Sequence, residues 1–146
     1  MISDNQLSQL HGRWAGDEQL FPTPWTQAGQ ASAVLELGPG PGGALLLDYV
    51  ETRAGSTLSG HGVVVAGAWW WFDSYGYVPT TPGTAGWDGG ELSLVRTSER
   101  GRTTTTLSVV DGVLEQRIDT AVPADAEAVP LLRGSYTRIA ALEPRS

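Results

Sequence analysis

Leu58-Ser59-Gly60-His61-Gly62-Val63-Val64-Val65-Ala66-Gly67-Ala68-Trp69-Trp70-Trp71-Phe72-Asp73 is the stretch on which the fold turns. Two runs rich in β-branched and aromatic residues flank Ala66-Gly67, a dipeptide suited to a two-residue turn, so the segment reads as a β-hairpin. Antiparallel pairing about that turn sets Val65 opposite Ala68, Val63 opposite Trp70 and His61 opposite Phe72 on one face. The other face pairs Val64 with Trp69, Gly62 with Trp71 and Gly60 with Asp73. Small residues oppose large ones there, which leaves room for bulky side chains and lets the strand bend as a tightly curved barrel requires. Alternation sends only half of the rings in Trp69-Trp70-Trp71-Phe72 inward, so they cannot all line one pocket.

The pattern continues on both sides of the hairpin. Apolar and polar residues alternate in Ala31-Ser32-Ala33-Val34-Leu35-Glu36-Leu37 and in Glu91-Leu92-Ser93-Leu94-Val95-Arg96, giving each segment one wet and one dry face. Breakers separate the runs: Gly38-Pro39-Gly40-Pro41-Gly42-Gly43, Thr80-Thr81-Pro82-Gly83, Asp88-Gly89-Gly90 and Asp111-Gly112. Strands are expected near residues 12–21, 29–38, 44–53, 56–65, 68–73, 84–87, 91–98, 102–110, 113–122 and 131–140. No stretch after residue 12 has the helical periodicity that a parallel crossover needs. The expected fold is therefore all-β, a closed up-and-down antiparallel barrel of about eight to ten strands, because closure removes the exposed edges of a long meander. A sandwich is the alternative. Asp4 to Leu10 reads as a short helix capped by Ser3 or Asp4, with Leu7 and Leu10 on one side and Gly12 as its stop. One domain is expected over 1–146, with a helical lead-in over 1–11, the barrel over 12–140 and a tail over 141–146.

Composition narrows the chemistry. The 146 residues include no Cys, so a disulfide framework, a thiolate nucleophile and Cys-ligated zinc are excluded. All nine basic residues are Arg, which excludes a Schiff-base lysine. The net charge is −7 and no basic run occurs, so neither nucleic acid nor an anionic membrane is an expected partner. The most apolar segment, Val63 to Phe72, is half the length of a membrane-spanning helix, and Met1 to Leu10 lacks a secretory pattern. A cytoplasmic protein is expected, of undetermined oligomeric state.

Candidate chemical groups are few. His11 sits between the helix and the first strand and reads as a surface or capping residue; His61 lies in an apolar strand between two glycines. Ser59, His61 and Asp73 do not make a triad, because Ser59 and His61 share a face that Asp73 does not. Asp17-Glu18, Asp48-Glu51 and Glu115-Asp119 are the candidate carboxylate pairs for acid–base chemistry. Asp17 and Glu18 are adjacent and point apart, whereas Glu115, Arg117 and Asp119 share a face and read as a solvated charge ladder. No metal site and no catalytic residue is assigned.

Leu10-His11-Gly12-Arg13-Trp14-Ala15-Gly16 followed by Phe21-Pro22-Thr23 resembles the opening of calycin-like barrels, and more closely the Gly-x-Trp-x-Gly and aromatic-Pro-Thr opening of the nitrobindin group. Trp71-Phe72-Asp73-Ser74-Tyr75-Gly76 and Gly86-Trp87-Asp88-Gly89-Gly90-Glu91-Leu92-Ser93-Leu94 are similar to an uncharacterised bacterial family with the same proposed barrel. The resemblance implies that Trp14 packs at the closed end of the barrel, stacked by Arg133 or Arg138 from the last strand. It implies haem in nitrobindins through a His near the C-terminal end; here no His follows His61, so haem is the alternative, through His61, and no cofactor is the first expectation. Fatty-acid-binding proteins clamp a carboxylate with Arg-x-Tyr, and this chain has Tyr136-Thr137-Arg138 in reverse order.

Together these readings predict a lipocalin-like barrel binding a small hydrophobic molecule. Its wall is expected from Trp70, Phe72, Tyr75 and Tyr77, and its polar end from His61, Tyr136 and Arg138, with Trp14 and Arg133 at the barrel end. An isomerase working through His61 and a barrel filled by its own aromatics, with a surface role, are the alternatives.

Overall fold

The computed structural model describes residues 2–24, 27–76 and 79–140. A helix, α1 (Asp4–Ser8), precedes ten strands: β1 (Gly12–Leu20), β2 (Gly29–Gly40), β3 (Ala44–Arg53), β4 (Ser56–Val65), β5 (Ala68–Asp73), β6 (Gly83–Asp88), β7 (Glu91–Ser98), β8 (Gly101–Val110), β9 (Val113–Ala121) and β10 (Val129–Ala140). Each strand pairs antiparallel with the next, and β1 pairs with β10 to close the barrel. The expected tail over 141–146 and Tyr77 lie outside the described residues.

The turns follow from residues that tolerate positive φ. Ala66 and Gly67 (φ 52° and 77°) join β4 to β5, and Asp111 and Gly112 (φ 52° and 78°) join β8 to β9. Positive φ at both central residues matches the right-handed twist of the flanking strands. The β4–β5 register is Val65 to Ala68, Val63 to Trp70 and His61 to Phe72, as the hairpin reading requires. By contrast β5 meets β6 only through Ala68–Thr84 and Trp69–Gly83.

One end of the barrel is plugged. Ser3 caps α1 by accepting from the Gln6 amide at 3.2 Å while its own amide donates to Gln6 Oε1 at 2.8 Å. This turns Leu7 and Leu10 into the barrel, where they join Trp14, Leu35, Leu37, Leu45, Leu92, Leu94, Leu107 and Leu114 in one buried cluster. Trp14 is fully buried and donates its indole N–H to the Leu10 carbonyl at 3.0 Å. The Arg138 guanidinium lies over its ring, 4.3 Å from the centroid, a cation–π contact. Arg138, not Arg133, is therefore the partner of Trp14. Arg133 emerges from the same strand toward the opposite end, beside Phe21, and bonds Asp119 at 2.7 Å. Gly16 explains the rest of the Gly-x-Trp-x-Gly pattern: a Cβ there would sit 1.9 Å from the Ser135 carbonyl oxygen, so β1 can lie against β10 only without a side chain.

Candidate functional site

The unplugged half of the barrel is hollow. A cavity of about 470 Å³ lies there, between Leu47, Tyr49, Glu51 and Arg53 of β3, Leu58 of β4, Trp69, Trp71 and Asp73 of β5, Arg96 of β7, Thr103 and Thr105 of β8, and Gln116 and Ile118 of β9. Phe21, Tyr75, Leu131 and Leu132 complete its wall. The interior is thus not filled by its own aromatics.

The aromatic wall comes from the other face of the hairpin than expected. Trp69 and Trp71 point inward, with ring centroids 5.6 Å apart, and Trp71 lies 6.3 Å from Tyr49. Trp70 and Phe72 are on the outer face, and Phe72 is 39% exposed. The reason is steric. A Cβ on Gly60 would sit 2.1 Å from the Trp71 ring, and one on Gly62 would sit 2.8 Å from the Trp69 ring. Glycine is needed where large rings pack tightly, and tight packing is inside. Asp73 then fixes Trp71 by accepting its indole N–H at 3.0 Å.

His61 goes outside with Phe72, its partner in register. Its Nδ1 lies 2.7 Å from Asp48 Oδ1 on the exposed face of the β3–β4 pair. Arg138 is at the plugged end and Tyr136 is buried in the interior. The three residues expected to form one polar end are thus in three places. Tyr75 does stand at the cavity, although it is 70% exposed.

The polar end is built from other residues. Glu18 and Glu51, from β1 and β3, are 2% and 1% exposed and share the Tyr49 hydroxyl between them. Tyr49 Oη lies 2.8 and 2.7 Å from the two Glu18 carboxyl oxygens and 2.7 Å from Glu51 Oε2. Tyr136 donates its hydroxyl to Glu18, Gln116 donates to Tyr136 at 2.9 Å, and Arg53 donates from Nε to Glu51 at 2.5 Å. A phenol has one proton, so Tyr49 cannot donate to both carboxyls. The contacts are all satisfied when Glu18 carries a proton: Gln116 donates to Tyr136, Tyr136 to Glu18, Glu18 to Tyr49, and Tyr49 to Glu51, which also accepts from Arg53.

Electrostatics give the same assignment. Burial first, then the neighbouring Glu51 carboxylate, push the Glu18 carboxyl up to about 8. Burial would raise Glu51 too, but the hydrogen bonds from Tyr49 and Arg53, the neighbouring Glu18 carboxyl and the Arg53 charge outweigh it and hold its pKa low. Burial and the two carboxyls raise the Tyr49 phenol, so it stays a neutral relay. At neutral pH the pair therefore holds one proton, on Glu18, and one negative charge, on Glu51 against Arg53.

Of the carboxylate pairs singled out from sequence, Asp17-Glu18 and Asp48-Glu51 each contribute one member, because alternation sends the other outward. Glu115, Arg117 and Asp119 are the expected outer ladder, bonded to Ser135, Glu91 and Arg133 at 2.7, 2.8 and 2.7 Å. Among the described residues no group of three His, Asp or Glu side chains is placed to hold a metal ion, and no helix is long and apolar enough to cross a membrane.

No protein-family model matches the chain, and no curated protein matches it in sequence. Among solved structures it is similar to the crystal structure of Rv2717c from M. tuberculosis, with a TM-score of 0.64 over 94% of this chain and 98% of that one. The likeness is one of fold. At 13% sequence identity it supports the closed barrel and leaves the finer resemblance to calycins and nitrobindins to the residues themselves.

Proposed function

We propose that the protein is a calycin-like carrier or sensor that holds a small, largely apolar molecule in the open half of its barrel. The observation that supports this reading is the 470 Å³ cavity, within the range of about 300–1,000 Å³ for small-molecule sites. Its composition has the matching form, an aromatic and aliphatic wall with a few convergent polar groups at the floor. The ligand-binding role passes from Trp70 and Phe72 to Trp69 and Trp71, and from His61 to the Tyr49–Glu51–Arg53 side chains of β3. A haem ligated by His61 would sit outside the barrel, away from the cavity that this residue does not line, so haem is not part of the reading.

The test is titration with N-phenyl-1-naphthylamine, a neutral probe whose emission rises in apolar surroundings, with energy transfer from Trp69 and Trp71. Saturable binding of one equivalent is expected. Thr105→Trp, which fills the cavity, is expected to weaken it at least tenfold, while Phe72→Ala on the outer face leaves it unchanged. Loss of binding in Phe72→Ala with no effect of Thr105→Trp would move the site to the outer surface and reject this reading.

A further inference from the structure

We propose that the cavity selects neutral aromatic molecules bearing a hydrogen-bond donor, such as a phenol or a ring N–H, and rejects carboxylates. This deepens the binding role above and rests on it. Three observations carry it.

The first is that the floor offers acceptors beside its guanidiniums and threonine hydroxyls. Glu51 receives Arg53 and Tyr49, and a carboxylate has about four lone-pair sites, so it retains capacity toward the cavity it lines. Gln116, which also lines the cavity, donates from Nε2 to Tyr136 at 2.9 Å and to Glu18 at 3.5 Å, and its amide carbonyl is a further acceptor. A ligand that donates meets both.

The second is the charge count of the wall. Two guanidiniums line the cavity, Arg53 and Arg96, and so do two carboxylates, Glu51 and Asp73. Arg53 is already bonded to Glu51. A ligand carboxylate would therefore be desolvated into a wall of zero net charge, where Arg53 is committed to Glu51 and the charge of Asp73 offsets that of Arg96, and an added buried charge is strongly unfavourable. This separates the site from a carboxylate clamp of the Arg-x-Tyr kind: Tyr136 lies behind Glu18, and Arg138 is at the other end of the barrel.

The third is shape. Trp69, Trp71 and Tyr49 present consecutive ring faces and edges with centroids 5.6 and 6.3 Å apart, a surface that favours a flat aromatic guest over a flexible chain.

The test compares three guests of one skeleton at pH 7 by equilibrium dialysis: 2-naphthol (neutral donor), naphthalene (no polar group) and 2-naphthoate (anion). A hydrogen bond to a charged acceptor predicts that 2-naphthol binds roughly tenfold or more tightly than naphthalene, and more tightly still than 2-naphthoate. In Glu51→Gln the preference over naphthalene is expected to fall below threefold and the penalty on 2-naphthoate to shrink. Equal affinity for naphthol and naphthalene in the wild-type protein overturns the donor requirement. Naphthoate binding as tightly as naphthol overturns the charge argument. Both results would leave the cavity a binding site, whereas absence of binding by all three would reject the binding reading itself and this inference with it.

Discussion

Replacing Glu18 by Gln tests the proton assignment on which the whole interior depends. In the folded protein Glu18 holds its proton up to about pH 8, whereas in the unfolded chain it releases it at the ordinary carboxyl value of 4.5. Between those values the folded state binds the extra proton, so stability falls as pH rises, by up to about 1.4 kcal/mol per pH unit. Integrated from pH 6 to pH 9, the loss is about 2 to 3 kcal/mol, because the slope fades as pH passes 8. Glu51 has the opposite sign: its lowered pKa contributes stability that is already complete above 4.5, so it adds no slope in this window. The lowered pKa of the partly buried His11 makes stability rise with pH near neutrality, but it does so equally in both proteins and cancels in the comparison. Gln in place of Glu18 keeps the hydrogen-bond sequence, since its carbonyl accepts from Tyr136 and its amide donates to Tyr49, and it has no proton to lose. Urea unfolding followed by tryptophan fluorescence at pH 6, 7, 8 and 9 reads the difference. The wild-type midpoint should fall relative to that of Glu18→Gln by about 1 M urea across the range, taking a slope near 2 kcal/mol per molar. Parallel pH profiles for the two proteins would refute the assignment of the proton to Glu18.

Gly16→Ala should be among the most damaging small changes: its Cβ would meet the Ser135 backbone carbonyl, which cannot swing aside, and a loss of about 3 kcal/mol or more in thermal or urea unfolding is expected. His61→Ala removes an exposed pair with Asp48 and should change stability by less than about 1 kcal/mol, with probe binding intact. Arg138→Ala removes the guanidinium from the Trp14 face and should cost about 0.5–2 kcal/mol in unfolding free energy, without changing affinity at the far end of the barrel. Arg133→Ala should leave the near-ultraviolet circular dichroism of Trp14 unchanged, since its guanidinium is bonded instead to Asp119 and the Ile118 and Leu132 carbonyls.

The strands were legible because both of their causes are local. Period-two alternation and the residues at positive φ occur within a few positions of each other, so even the β4–β5 register could be derived from Ala66-Gly67. Which face of that hairpin turns inward is not a local property, since it depends on what lies across the barrel. The clue was nonetheless in the pairing: glycines at 60 and 62 opposite Asp73 and Trp71, diagonal to the rings at 71 and 69, mark crowding, and crowding marks the interior. The polar cluster was hidden for a different reason. Its members come from β1, β3, β9 and β10 and are separated by up to 118 residues, so no spacing motif contains them. Their phase does reveal them. Glu18 falls on the same alternate positions as Trp14 and Leu20, Glu51 on those of Leu45, Leu47 and Tyr49, Gln116 on that of Leu114, and Tyr136 on that of Leu132. A charged or amide residue in phase with core residues is a buried polar group, and buried polar groups need partners.

The inward-facing set changes character along the barrel axis in strand after strand. β3 runs from Leu45 and Leu47 to Tyr49, Glu51 and Arg53; β7 from Leu92 and Leu94 to Arg96; β8, in the reverse direction, from Leu107 back to Thr105 and Thr103; and β9 from Leu114 to Gln116. Stability alone does not favour this arrangement. Leucine or valine at the threonine and glutamine positions would bury more apolar surface, and an ion pair in a barrel interior is commonly matched or exceeded in stability by well-packed hydrophobic residues. The plugged half shows that this fold packs such a core without difficulty, down to a fully buried Trp14 and Leu10. An open half that departs from it in at least four strands at once, with nearly every buried polar atom there hydrogen-bonded, is therefore an organised polar floor beneath an aromatic wall and not a packing defect. That axial division is what the proposed binding role requires, a rigid apolar base holding the mouth in fixed geometry.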